Sequence, residues 1–163
     1  MKKRGCGCAE GFSLIELLIV VAIILIIAAI AIPNFMKSKM AANQASAVES
    51  LRMIDTAEVT YSSTYNVGFS GTLAYLGPAA SGVPYSQAAA LIDETLATGF
   101  KSGYALVYSS GPTDASGKIN YYEVTGTPVN TSTGSTYYYT DQSGVIRQNA
   151  TAVAGSTDSS IGG

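Results

Sequence analysis

The chain has 163 residues, a formal net charge of -2, no histidine and two cysteines, and only 12% of its residues are charged. Those figures leave room for one modest domain, exclude a Ser-His pair, and provide no basic patch beyond the first four residues to steer nucleic acid. Glycine (17 residues), tyrosine (11), serine and threonine are plentiful where a cytosolic surface would carry Lys and Glu, a balance that suits an extracellular, β-rich domain.

Met1 to Glu10 reads MKKRGCGCAE. Lys2, Lys3 and Arg4 ahead of an apolar run favour a cytoplasmic N-terminus, and Lys37 and Lys39 beyond the run weaken that preference without reversing it. Cys6 and Cys8 precede the run, whereas a lipoprotein cysteine should follow it; as metal ligands they are two thiols without further ligands nearby, a weak site. If this leader is removed, the remaining chain has neither thiol nor imidazole, so Cys-His and Cys/His-zinc chemistry are excluded and no disulfide staples the domain.

Gly11 to Phe35, GFSLIELLIVVAIILIIAAIAIPNF, carries one charged side chain, Glu16. As a helix, Phe12 to Ile32 would span roughly 30 Å, the thickness of a bilayer's hydrocarbon core. The run is longer than the core of an ordinary secretory signal. An unpaired carboxylate in hydrocarbon costs several kcal/mol, so Glu16 needs a partner, a proton or a place at the lipid headgroups. Pro33 is expected to kink the helix as it leaves the membrane.

Gly11-Phe12-Ser13-Leu14-Ile15-Glu16, the apolar run to Ile32-Pro33-Asn34-Phe35, and the basic leader before them together resemble the type IV pilin family, including the pseudopilins of type II secretion. The resemblance implies that a prepilin peptidase cuts between Gly11 and Phe12 on the cytoplasmic side and methylates the new Phe12 amine. It implies a homo-oligomeric helical filament in which the Glu16 carboxylate meets the Phe12 amine of an adjacent subunit. Leu25 stands where many family members have Gly, which puts local melting of the helix in doubt. The implied partners are the inner membrane before assembly, the peptidase, and a pilus or secretion assembly machinery. The implied locations are the bacterial inner membrane and then a surface filament or periplasmic pseudopilus. Adhesion, motility, DNA uptake and protein secretion are the roles such filaments serve. A minor pilin-like adhesin, or a surface domain anchored singly, is the alternative to a polymerising subunit. With no His and with scattered acids, the sequence argues against an enzyme, and no cofactor is expected.

The expected fold class is α+β, pilin-like: a long N-terminal helix, apolar and then amphipathic, against a C-terminal four-stranded antiparallel sheet. Residues 1–11 form the leader, 12–35 the apolar helix and 36–63 its amphipathic continuation. In that continuation Ala47, Val48, Leu51, Ile54, Tyr61 and Tyr65 recur at helical spacing, while Glu49, Arg52, Asp55 and Thr56 belong on the wet face. Glu58, close to the apolar stripe without an evident partner, is assigned to the rim. Residues 64–102 connect helix to sheet, with turns at 66–68, 76–78 and 81–84 and a short helix from Ser86 to Thr98. Asp93 and Glu94 are neighbours on it, pointing different ways, and make a poor acid-base pair. Residues 103–148 read as four strands, 104–109, 118–127, 135–140 and 145–148. The tyrosines are read as strand-forming aromatics half buried on the sheet, ahead of sugar binding or electron hopping. Asp114, Asp141 and Asp158 are read as turn residues rather than calcium ligands. Asn130-Thr131-Ser132 and Asn149-Ala150-Thr151 fit an N-glycosylation acceptor, a short pattern that recurs by chance. Residues 149–163 are expected to be a flexible tail.

Overall fold

The structure, a computed structural model, describes residues 11–80 and 82–161. The expected leader through Glu10, with Cys6 and Cys8, lies outside the described residues, as do Ser81 of an expected turn and the last two glycines. The chain divides into two compact units, Met1–Lys37 and Ser38–Gly163.

Helix α1 runs Leu14–Tyr65, 52 residues, and contains Pro33. It is unbroken at Leu25 and continues through Pro33, since losing one backbone donor bends a helix more readily than it ends one of this length. In the first unit none of the described residues covers it: Leu14, Ile15, Leu17, Leu18 and Ile19 are each more than half exposed. Among the described residues α1 is the helix long and apolar enough to cross a membrane.

In the second unit α1 turns amphipathic. Ala47, Ser50, Leu51, Ile54, Ala57, Glu58 and Tyr61, which fall on one helical stripe, are its buried positions. They face a six-stranded antiparallel sheet in simple meander order: β1 (Phe100–Lys101), β2 (Tyr104–Ser110), β3 (Tyr122–Pro128), β4 (Tyr137–Asp141), β5 (Arg147–Asn149) and β6 (Ser159–Ser160). Four strands were expected, and six are present. The two additions, β1 and β6, are two-residue edge strands, too short to show any alternation. The four longer strands lie at or close to their expected positions. Alternate residues Tyr104 and Leu106, Tyr122 and Val124, and Tyr138 point into one core with Leu51, Ile54, Leu76 and Leu96.

The connection departs furthest from expectation. No helix begins at Ser86; α2 is Glu94–Ala97, capped by Asp93, whose carboxylate accepts the Leu96 N–H at 2.7 Å. Residues 89–91 instead lie along a 3-10 turn, Leu73–Leu76, with the N–H groups of Ala89, Ala90 and Leu91 bonded to the carbonyls of Tyr75, Gly77 and Leu76. Those donors are thereby spent, and Ala90 at φ 55° cannot sit in a right-handed helix. Earlier, Gly68 at φ 81° lets the backbone touch Ile119, where a Cβ would collide with the Ile119 carbonyl. The bonds Phe69 N to Ile119 O, 2.8 Å, and Ile119 N to Val67 O, 3.2 Å, fasten this loop ahead of β3.

The stretch after β5, expected as a flexible tail, closes the sheet. Ser159–Ser160 pairs with Arg147 and Gln148, the Ile161 N–H reaches the Ile146 carbonyl at 2.8 Å, and Ala154 is buried. Asn149 donates its side-chain amide to Asp158 at 3.0 Å, tying strand to strap.

Candidate assembly segment and the acids of the domain

Gly11 and Phe12 precede α1, with Phe12 79% exposed and, among the described residues, nothing within 4 Å of where a Cβ on Gly11 would stand. Ser13 is the residue before the first helical position, and Glu16 is the third inside it. That is the spacing of a capping box, in which the acid reaches back to the free N–H of the cap. The structure forms that arm: the Ser13 N–H donates to Glu16 Oε2 at 2.9 Å, while Leu17 N–H bonds the Ser13 carbonyl at 3.2 Å. The sequence reading missed this local role, although Ser13-Leu14-Ile15-Glu16 shows it. Glu16 has no ion-pair partner among the described residues.

From Leu14 through Ile32 the surface is one continuous apolar face broken by this carboxylate, and Ile23, Ile24, Leu25, Ile26, Ile27 and Ile30 are all at least half exposed. A surface of this extent in water marks a membrane or protein contact. The structure therefore brings Gly11, Phe12 and Glu16 together at one helix start, and places Pro33 far along the same helix.

The domain holds its acids elsewhere. Asp55, expected on the wet face, instead turns to the sheet, accepting the Tyr122 hydroxyl at 2.9 Å and the Thr140 hydroxyl at 2.9 Å. Burial is the main cause that pushes its carboxyl from 3.8 up to about 6, against those two bonds, with Asp141 and Glu58 adding like-charge repulsion. Glu58, expected at the rim, is fully buried and accepts from Ser70 N at 2.8 Å and Ser70 Oγ at 2.5 Å. Its partner is a loop residue twelve positions on, which helical spacing cannot reveal.

The tyrosines are mostly core. Tyr61, Tyr104, Tyr122, Tyr138 and Tyr139 are buried; Tyr108 stacks on Tyr122 with centroids 5.9 Å apart, and Phe69 meets Tyr122 edge-on at 4.8 Å. Each buried hydroxyl finds a partner: Tyr61 the Ser86 carbonyl, Tyr104 the Thr136 carbonyl, Tyr108 the Ser70 carbonyl. Burial pushes the Tyr104 hydroxyl up to about 12 and those of Tyr108 and Tyr122 higher still.

Asp114, Asp141 and Asp158 each hold a local turn. Asp114 accepts from Ser116, Lys118 and Asn120, Asp141 from the Ser143 N–H, and Asp158 from the Gly155 N–H. Asn130 and Asn149 likewise accept from the backbone two residues on. Among the described residues no three of Cys, Asp and Glu are grouped to hold a metal ion.

Comparison with known proteins bears on the helical segment. The family model described as the prokaryotic N-terminal methylation motif matches residues 8–32. The Type IV major pilin protein PilA of Myxococcus xanthus (strain DK1622) is 53% identical over 52 residues, which make up 32% of this chain and 24% of that pilin. The match thus spans about a quarter of the relative's length, and no solved structure matches. The N-terminal segment of this chain is a type IV pilin-like one, bearing the N-terminal methylation motif at the head of an apolar helix.

Proposed function

We propose that the chain is a structural subunit of a type IV pilus-like filament. It is inserted in the inner membrane through α1, cut between Gly11 and Phe12, methylated on the Phe12 amine, and polymerised with α1 inside and the sheet outside. One observation carries this reading: an exposed apolar helix with a single carboxylate one turn from the Gly11-Phe12 junction, within the segment matched by the methylation motif. Leaving lipid for a filament core keeps the apolar face dry. Among neighbouring helices, Glu16 gains an ammonium that hydrocarbon does not offer, so the pair rewards one axial offset between subunits. The relative's being a major pilin supports the pilus over the secretion pseudopilus.

The test is assembly in the native host. Cells expressing Glu16→Ala are expected to retain cleaved protein in the membrane and to shed few or no filaments on shearing. Filament yield equal to wild type rejects the Glu16 role. Substituting Gly11 is expected to leave a longer, membrane-retained precursor, and an unchanged protein mass rejects the processing step.

A further inference from the structure

Glu58 is an acid of the domain for which the proposed assembly has no use. Glu58 is 0% exposed. The titratable groups facing it are Asp55 and Tyr61 on α1, Tyr108 on β2 and Tyr122 on β3, and no Lys or Arg among the described residues is bonded to it. An uncompensated charge in such a place costs several kcal/mol, and burial pushes the Glu58 carboxyl above its ordinary range.

Bonds donated by Ser70 and Tyr108 favour the charged form, and burial outweighs them. Glu58 Oε2 takes the Ser70 N–H at 2.8 Å, and Oε1 lies 2.5 Å from Ser70 Oγ. The same Oγ lies 3.1 Å from the Thr72 carbonyl and 3.1 Å from the Tyr108 hydroxyl, while the Tyr108 proton goes to the Ser70 carbonyl at 2.8 Å. With Glu58 ionised, the single Ser70 proton is claimed by the carboxylate and the Thr72 carbonyl contact goes without one. A proton on Oε1 completes a relay in which Glu58 donates to Ser70 Oγ, Ser70 to the Thr72 carbonyl, and Tyr108 to the Ser70 carbonyl.

We propose that Glu58 is a neutral carboxylic acid in the native domain and that its proton is a latch. It ties the C-terminal part of α1 to the Phe69–Thr72 segment and, through Tyr108, to β2. Removing the proton leaves a buried charge with only Ser70 and the Tyr108 hydroxyl to solvate it, and the segment opens to admit water. The latch concerns the domain's own interior and holds whether or not the chain polymerises.

The test uses the full chain in detergent micelles. Infrared difference spectra between wild type and Glu58→Gln at pH 7 are expected to show the carbonyl band of a protonated carboxyl; carboxylate bands there overturn the proposal. Gln keeps an acceptor for the Ser70 N–H and a donor for Ser70 Oγ, so it mimics the latched state. Wild-type thermal midpoints should fall as pH rises above the ordinary glutamate range until that band disappears and be level above it, with faster amide exchange at Ser70 once it is gone, whereas Glu58→Gln should lack this part of the fall. An equal fall in both proteins overturns the latch. Should Glu58→Gln not fold, the titration of carbon-13-labelled glutamate in wild type decides: one buried glutamate carboxyl still protonated at pH 7 supports the proposal, and none protonated refutes it.

Discussion

Replacing Asp55 by Asn removes a charge and keeps its bonds, which isolates what the charge costs. In the native domain the Asp55 carboxyl titrates near 6 instead of 3.8, chiefly because it is taken from water. The folded state therefore holds its proton more tightly than the unfolded chain. Between those two values the unfolded state binds fewer protons, so this group's contribution to stability is full at low pH, falls as pH rises through about 6, and is level above. A shift of this size corresponds to about 3 kcal/mol. Asp55 is only partly buried, and solvent screening reduces this to about 1–2 kcal/mol. Asn at this position accepts the Tyr122 hydroxyl through its oxygen and donates to the Thr140 hydroxyl through its amide. Asp55→Asn is thus expected to match wild type at pH 4 and to exceed it at pH 7 by about 1–2 kcal/mol, a midpoint increase of roughly 2–6 °C. Thermal unfolding of both full-length proteins at the two pH values, followed by circular dichroism, is the assay. A variant destabilised equally at pH 4 and pH 7 refutes the reasoning, because the two hydrogen bonds to the ionised form would then outweigh its desolvation.

Three further outcomes follow from the geometry. Gly134→Ala directs a Cβ into the Tyr104 ring and hydroxyl, which is fully buried and bonded to the Thr136 carbonyl, so overpacking is expected to cost about 1–3 kcal/mol in the same assay. Ala90→Gly relieves a left-handed alanine whose N–H bond to Gly77 is retained; relief of about 1–2 kcal/mol against unfolded-chain entropy leaves a net gain of roughly 0.5 kcal/mol, seen as a small rise in midpoint. Glu16→Gln keeps an acceptor for the Ser13 N–H and loses the charge, whereas Glu16→Ala loses both. If charge pairing drives assembly, both variants fail to form filaments; if capping the helix is the whole role, Gln assembles normally.

The sequence is most informative where one side chain faces one environment for many residues. Eighteen apolar residues from Leu14 to Ile32 around a single acid are enough to read α1, alternation in Tyr104 to Ser109 is enough to read β2, and the strand read over Lys118 to Thr127 overlaps β3 without giving its start. Periodicity fails where tertiary bonds replace local ones. The N–H groups of Ala89 to Leu91 go to carbonyls of a preceding turn, so a stretch with good helix composition stays out of a helix until Asp93 can cap α2. Ser159–Ser160 pairs with β5 through backbone alone, leaving nothing for a pattern to register. Asp55 and Glu58 were placed on the wrong surface because polarity was taken as exposure. What buries them is supplied by Thr140 and Tyr122 on the sheet and by Ser70 in a loop, groups that helical spacing does not reach. At the helix start the order Gly, Phe, Glu carried the resemblance, and the bond between Ser13 and Glu16 adds an intramolecular claim on the same carboxylate.

The most direct measurement is mass spectrometry of the protein recovered from sheared surface filaments that have first been seen by electron microscopy. The N-terminal peptide is expected to begin at Phe12 and to carry one added methyl group on its amine. Filaments whose subunits retain Met1 to Gly11, or begin at Phe12 with a free amine, contradict the proposed route, as does the chain's absence from such filaments.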